Sequence, residues 1–276
     1  MDLQSLPPLR EALADHGLLA KKSFGQHFLL DLNITRKIAR LAAFEPGARV
    51  IEVGPGPGGL TRALLEAGAQ VTAIEKDQRF RPLLEELGGA APGALSLVFG
   101  DALDADEAQI AGGQAAHVVA NLPYNVGTAL LIKWLTGPWT PASMTLMFQK
   151  EVAERIVAPA NGEAYGRLAV IAQATSEAKL VMEVPARAFT PPPKVESAVV
   201  RLTPRADRPS AARLDALQKL TAAAFGQRRK MLRASLKPLG GEAIILAAGL
   251  DPQARAETIG VEGFLRLADA WIAART

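Results

Sequence analysis

The sequence predicts an α/β fold: an open sheet with helices on both faces, followed by a small all-α C-terminal domain. Three observations carry this expectation. Short apolar runs alternate with stretches of helical spacing from about residue 45 to about residue 158, the pattern of strands joined by crossover helices. A glycine turn, Gly54-Pro55-Gly56-Pro57-Gly58-Gly59, lies directly between a strand and a helix. A polar segment with a proline near each end, Thr203 to Ser210, separates this pattern from a tail with helical spacing. The expected division is residues 1–204 for the first domain and 205–276 for the helical one.

The elements follow in order. Residues from about 8 to 44 read as helices around a loop at Lys21–Leu29. Arg49-Val50-Ile51-Glu52-Val53 is a short, mostly apolar strand, and Leu60 to Leu65 after the glycine turn has helical spacing and no breaker. Strand, glycine turn and helix together let a nucleotide-like ligand approach the backbone closely. Pro55 and Pro57 leave fewer free N–H groups for a pyrophosphate, which favours a small zwitterionic tail. Gln70 to Ile74 is the next strand and ends at Glu75, where a carboxylate can hold a ribose diol. A nicotinamide dinucleotide and S-adenosylmethionine would both use it so. Ala94 to Phe99 is closed by Gly100-Asp101-Ala102, and Asp101 can accept from an adenine amino group. Ala116 to Ala120 reads as a buried parallel strand that runs into Asn121-Leu122-Pro123-Tyr124. There the Asn121 side-chain oxygen and a backbone carbonyl can both accept from an exocyclic amino group. Tyr124 offers a face on which a base can stack. Ligands of open α/β sheets bind outside the carboxyl ends of the strands, so these four strand ends converge on one crevice. Further on, Leu168–Thr175 is an apolar helical run. Lys179–Val184 and Ser197–Leu202 read as strands bridged by a proline loop at Phe189–Lys194, and the tail breaks at Pro238-Leu239-Gly240-Gly241.

Composition removes other classes. The chain has 276 residues, 49% of them apolar, enough for one large core and a small appended domain. No apolar run approaches the ~20 residues that span a bilayer, and no signal or transit pattern is evident, so the expectation is a cytoplasmic protein without a membrane. Without cysteine there is no thiolate nucleophile or cysteine metal site, and His16, His27 and His117 are too far apart in sequence to suggest a metal. Charge is unevenly placed. Residues 201–276 hold 13 Lys and Arg against 7 Asp and Glu, whereas residues 1–200 hold 18 against 21. No acid occurs between Asp215 and Glu242. At helical spacing Arg229, Lys230, Arg233 and Lys237 share a broad face, which could track phosphates.

Several stretches together resemble the ribosomal RNA adenine dimethyltransferases of the KsgA (RsmA) type. They are Lys21-Lys22-Ser23-Phe24-Gly25-Gln26-His27-Phe28-Leu29, the glycine turn after Glu52, Glu75-Lys76-Asp77, Asn121-Leu122-Pro123-Tyr124-Asn125, Gln149 to Arg155, Tyr165-Gly166-Arg167-Leu168, and Phe189 to Val199. The resemblance implies a Rossmann-like S-adenosylmethionine methyltransferase sheet. It also implies dimethylation at N6 of two adjacent adenosines near the 3′ end of small-subunit ribosomal RNA, with a role in small-subunit biogenesis. The implied partner is that RNA within the immature small subunit, met by a monomer. For the cofactor it implies His27 and Leu29 beside the methionine part with Gln26 next to them, Gly54 and Gly56 in the turn, Glu75 on the ribose, Asp101 and Ala102 bordering the adenine, and Asn121 touching both ligands. For catalysis it implies Asn121, Leu122, Pro123 and Tyr124, with Phe189 sandwiching the base against Tyr124. For RNA the expected residues are Lys21, Lys22, Arg228, Arg229, Lys230, Arg233 and Lys237. His27 departs from the Asn of many relatives. Two alternatives stand beside this: an adenine dimethyltransferase of large-subunit RNA of the macrolide-resistance type, and a non-catalytic ribosome-assembly factor. A nucleotide-dependent oxidoreductase is the more distant third.

Overall fold

The computed structural model describes residues 2–18, 27–227 and 230–275. Among these residues nine strands occur: β1 (Phe28–Leu29), β2 (Arg49–Val53), β3 (Gln70–Glu75), β4 (Leu95–Phe99), β5 (Ala116–Asn121), β6 (Ser143–Gln149), β7 (Ser176–Val184), β8 (Phe189–Thr190) and β9 (Ser197–Pro204). Seven of them form a sheet in the order β4-β3-β2-β5-β6-β9-β7, flanked by helices. The pairs β2–β3, β3–β4, β2–β5 and β5–β6 are parallel. β1 and β8 pair separately and antiparallel, with Leu29 opposite Phe189 and Phe28 opposite Thr190.

Burial explains why the strands read as apolar runs and not as alternating ones. Val50 to Val53 are all buried, as are Ser143 to Phe148, because parallel strands are covered on both faces. The chain leaves β2 for β3 and β4 on one side, then returns to lay β5 on the other side of β2. The switch point therefore lies between β2 and β5, with Gly54 and Asn121 at the neighbouring carboxyl ends. The helix Gly59–Glu66 starts straight from the turn and is buried from Gly59 to Leu65. Even its Arg62 is only 6% exposed, and it donates from Nη1 to the Pro7 carbonyl at 2.8 Å.

The chain separates into two compact units. One takes residues up to 131, 141–150 and 180–201, and the other takes 132–140, 151–179 and 202–276. In the first, the helices Leu32–Ala42 and Gly59–Glu66 and the central strands share an apolar core that includes Ile38, Leu64, Val119 and Val199. In the second, Leu217, Leu220, Phe264 and Trp271 of the tail pack with Tyr165 and Val170. Tyr165 donates from its hydroxyl to the Ile259 carbonyl at 2.9 Å, and its ring meets Phe225 edge-on at 6.0 Å.

The basic segment is not one continuous helix. The helix Ala211–Gly226 ends before it, and the next one is only Leu232–Ser235, followed by a 3-10 turn at Lys237–Leu239. The cause is long-range pairing. Met231 bridges Arg255, while the N–H groups of Leu232 and Arg233 donate to the carbonyls of Ala254 and Pro252. Leu232 and Leu236 are drawn fully into the core. Among the described residues, no helix is long and apolar enough to cross a membrane.

Candidate active site

The carboxyl ends of β2, β3 and β5 open onto a cavity of about 430 Å³, within the range of small-molecule sites. The glycine turn supplies one wall. Gly54 and Gly56 have φ of +68° and +51°, a region costly for residues with a Cβ, and a Cβ at either would come within 3.7 Å of Pro123 or Phe28. The backbone thus lies bare toward the cavity because glycine allows it.

Two carboxylates line this cavity. Glu75 is 7% exposed, and its Oε2 accepts from Gly56 N at 3.0 Å while Oε1 accepts from Asp77 N at 2.8 Å. Burial pushes its carboxyl above the ordinary value, and those two N–H donors pull the other way. Glu52, 1% exposed, accepts from the Thr61 hydroxyl at 2.6 Å. Burial raises it from 4.5 to about 8; the Thr61 bond opposes this and the charge of Glu75 adds to it.

On the β5 side the cavity is lined by Asn121, Leu122, Pro123 and Tyr124. The Pro123 carbonyl accepts from Val126 N and Gly127 N, which closes the turn into the helix Gly127–Thr136. Tyr124 is half-buried and its hydroxyl hydrogen-bonds Ser197 Oγ at 2.8 Å; burial raises its pKa and the Ser197 bond opposes this. His27 lines the same cavity with its ring centroid 6.1 Å from that of Tyr124. Its Nδ1 lies 2.7 Å from the Pro191 carbonyl. A carbonyl only accepts, so Nδ1 carries the hydrogen.

A family model of the ribosomal RNA adenine dimethylases matches residues 17–273. This chain belongs to that family. The match extends to close relatives: the ribosomal RNA small subunit methyltransferase A of Phenylobacterium zucineum is 76% identical over 100% of this chain and 96% of its own. The protein of the same name from Caulobacter vibrioides is 68% identical over 91% and 97%. Among solved structures, a dimethyladenosine transferase from Plasmodium falciparum is similar with a TM-score of 0.73 and 25% identity, covering 87% of this chain and 96% of that one. The 23S rRNA methyltransferase ErmE follows with a TM-score of 0.67 and 29% identity, covering 89% and 99%. The chain is therefore an enzyme, a ribosomal RNA adenine dimethylase, with ribosomal RNA as its substrate. Membership implies dependence on S-adenosylmethionine.

Of the residues the sequence singled out in this dimethylase, the structure brings His27, Leu29, Gly54, Gly56, Glu75 and Asn121–Tyr124 to one cavity. It does not bring three others into the wall. Asp101 is held by Lys76 Nζ at 2.7 Å and by Leu103 N at 2.9 Å, and Ala102 is buried. Phe189 is 3% exposed in the core beside Leu29, because β8 pairs with β1 there. Gln26, Lys21, Lys22, Arg228 and Arg229 lie outside the described residues. Lys230, Arg233 and Lys237 are exposed.

Sequence reasoning missed Glu52 and Phe80, which both line the cavity, and Arg255, which the Met231 bridge brings beside the basic segment. Glu52 carried a signal, an acid inside an apolar strand. Phe80 carried none: its place depends on the 3-10 turn Gln78–Phe80 and an edge-on contact with Phe28 at 5.6 Å.

Proposed function

We propose that this dimethylase transfers methyl groups to N6 of two adjacent adenosines near the 3′ end of small-subunit ribosomal RNA, twice each, within the immature small subunit. The observation that carries the reading is the meeting of Asn121-Leu122-Pro123-Tyr124 with the glycine turn and Glu75 on one cavity. The small-subunit target is supported by relatives of that name at 76% and 68% identity.

The residues present fit S-adenosylmethionine. Bare backbone at Gly54 and Gly56 leaves room that a Cβ would fill, and Glu75 is an acceptor already oriented by two backbone N–H groups. Glu75 would take the ribose hydroxyls, with His27, Leu29 and Asn121 beside the rest of the molecule. When bound, the cofactor supplies a methyl group activated on a sulfonium. The chain supplies geometry. In the first transfer Asn121 Oδ1 and the Leu122 carbonyl accept the two amino hydrogens of adenine, and in the second one of them accepts the single hydrogen that remains, which draws the N6 lone pair out of conjugation and aims it. Tyr124 gives the base a face to stack on, worth about 1–3 kcal/mol. Asn121 is no base, so the proton leaves N6 to water after transfer. A stacked target base has to leave its helix or lie in a loop. Residues 1–204 hold this chemistry. Residues 205–276 hold RNA through Arg228, Arg229, Lys230, Arg233 and Lys237, and Lys21 and Lys22 of the first part add to this contact. The reading has the enzyme act as a monomer in the cytoplasm.

The test is methyl transfer from labelled S-adenosylmethionine to unmethylated small subunits, large subunits and naked RNA in parallel, with nucleoside analysis. Dimethyladenosine in small subunits alone is expected. Label in large subunits would overturn the target, and binding without label would overturn catalysis in favour of an assembly factor.

A further inference from the structure

The hydroxyl of Tyr124 has a use that stacking does not require. A phenylalanine would present the same face to a base. The phenol instead reaches Ser197 Oγ at 2.8 Å. Ser197 opens β9, is fully buried, and is followed by the equally buried Ala198, Val199 and Val200. A hydroxyl in such a strand costs stability unless it is bonded, and Tyr124 provides the bond.

The anchor is itself held. The preceding residue, Glu196, accepts from Lys150 N at 2.9 Å through its carbonyl, and Lys150 Nζ lies 3.0 Å from Glu183 and 3.6 Å from Glu196. Lys150 follows directly on β6, the neighbour of β9 in the sheet. Tyr124 sits beyond the end of β5, in a turn closed at Pro123, whose carbonyl accepts from Val126 N and Gly127 N. One end of the ring is thus tied to the turn and the other to the sheet.

We propose that Ser197 is a positioning residue for methyl transfer, fixing the Tyr124 ring at the angle from which the target adenine presents N6. The inference rests on the reading of Tyr124 as the platform for the base. Restraint of the ring matters because reaction needs N6 close to the methyl and in line with it, so a ring free to tilt lowers the fraction of productive poses. Lys150 acts one step further out, by holding the strand entrance.

The test uses the full-length chain and unmethylated small subunits in single turnovers at saturating cofactor. Ser197→Ala and Tyr124→Phe should each slow transfer roughly tenfold, and the double variant should be no slower than either, since both remove the same bond. KM for the subunit and the affinity for S-adenosylmethionine by calorimetry should stay within about twofold, whereas general loosening would raise KM and weaken cofactor affinity. Ser197→Thr should restore the rate. Tyr124 and Tyr165 are the two tyrosines of the chain, so ring NMR signals give a direct readout. The Tyr124 signal should shift in Ser197→Ala and that of Tyr165 should not. Full rates in Ser197→Ala and Tyr124→Phe beside a slow Tyr124→Ala would overturn the positioning role and leave the platform standing. A full rate in Tyr124→Ala would overturn the platform and this inference with it. If Ser197→Ala fails to fold, Tyr124→Phe removes the same bond without touching the strand and decides alone.

Discussion

Two acids in one cavity wall do different work because they are held differently. Glu75 spends a lone pair of each oxygen on the backbone N–H groups of Gly56 and Asp77, so it braces the glycine turn as well as offering itself to a diol. Glu75→Ala should therefore weaken S-adenosylmethionine binding by at least about tenfold, the loss of charge-assisted hydrogen bonds. Isothermal calorimetry checks this, and an unaltered affinity would remove Glu75 from the ribose. Glu52 carries the larger shift, caused by burial. Its folded pKa is raised, so the folded chain keeps a proton that the unfolded chain has already lost. Its contribution to stability is present below about 4.5 and is lost as pH rises through about 8. Glu52→Gln should flatten the fall in melting temperature across that window, as read by calorimetry at a series of pH values. Asn121→Ala removes an acceptor that matters most as N6 attacks. The single-turnover rate should drop by about 10²-fold or more while cofactor affinity stays within a few-fold.

At the scale of the element, the strand-turn-helix from β2 into Gly59–Glu66 was legible because glycines at 54, 56, 58 and 59 follow an apolar strand. Why Gly59 must be glycine was not legible. A Cβ there would lie 2.8 Å from the Leu29 carbonyl oxygen and 3.0 Å from the Leu9 side chain, both far from Gly59 in sequence. Gly59→Ala should cost about 1–3 kcal/mol by displacing backbone. Gly89→Ala, in the open helix Arg81–Ala90, should gain about 0.5–1 kcal/mol. Chemical denaturation of the two variants measures both signs. The basic segment shows the opposite case. Its spacing suits a helix, yet pairing of residues 231–233 with residues 252–255 overrides the local preference.

At the scale of the molecule, the positive charge of the tail was readable by counting. Its grouping was not, since pairing of residues 231–233 with residues 252–255 is what brings Arg255 beside the basic segment. Replacing Lys230, Arg233 and Lys237 by Gln should lower the salt slope of RNA binding by about two to three, with little change in cofactor affinity. Filter binding over a range of salt concentrations tests this, and an unchanged slope would return these residues to an ordinary solvated surface. The polar stretch Thr203–Ser210 announced a change of composition. No local signal tells that residues 151–179 share a core with the tail.

The sequence by itself determined which strand ends carry glycine, acid and Asn-Leu-Pro-Tyr. Strand polarity alone sends all parallel strand ends to one edge, so these meet without any further information. Only the tertiary structure decided which side chains face the cavity. Phe189 turns into the core, Asp101 is taken by Lys76, Glu52 and Phe80 enter the wall, and Ser197 meets Tyr124 across 73 positions. Register and long-range packing set those directions, and neither is written in local spacing.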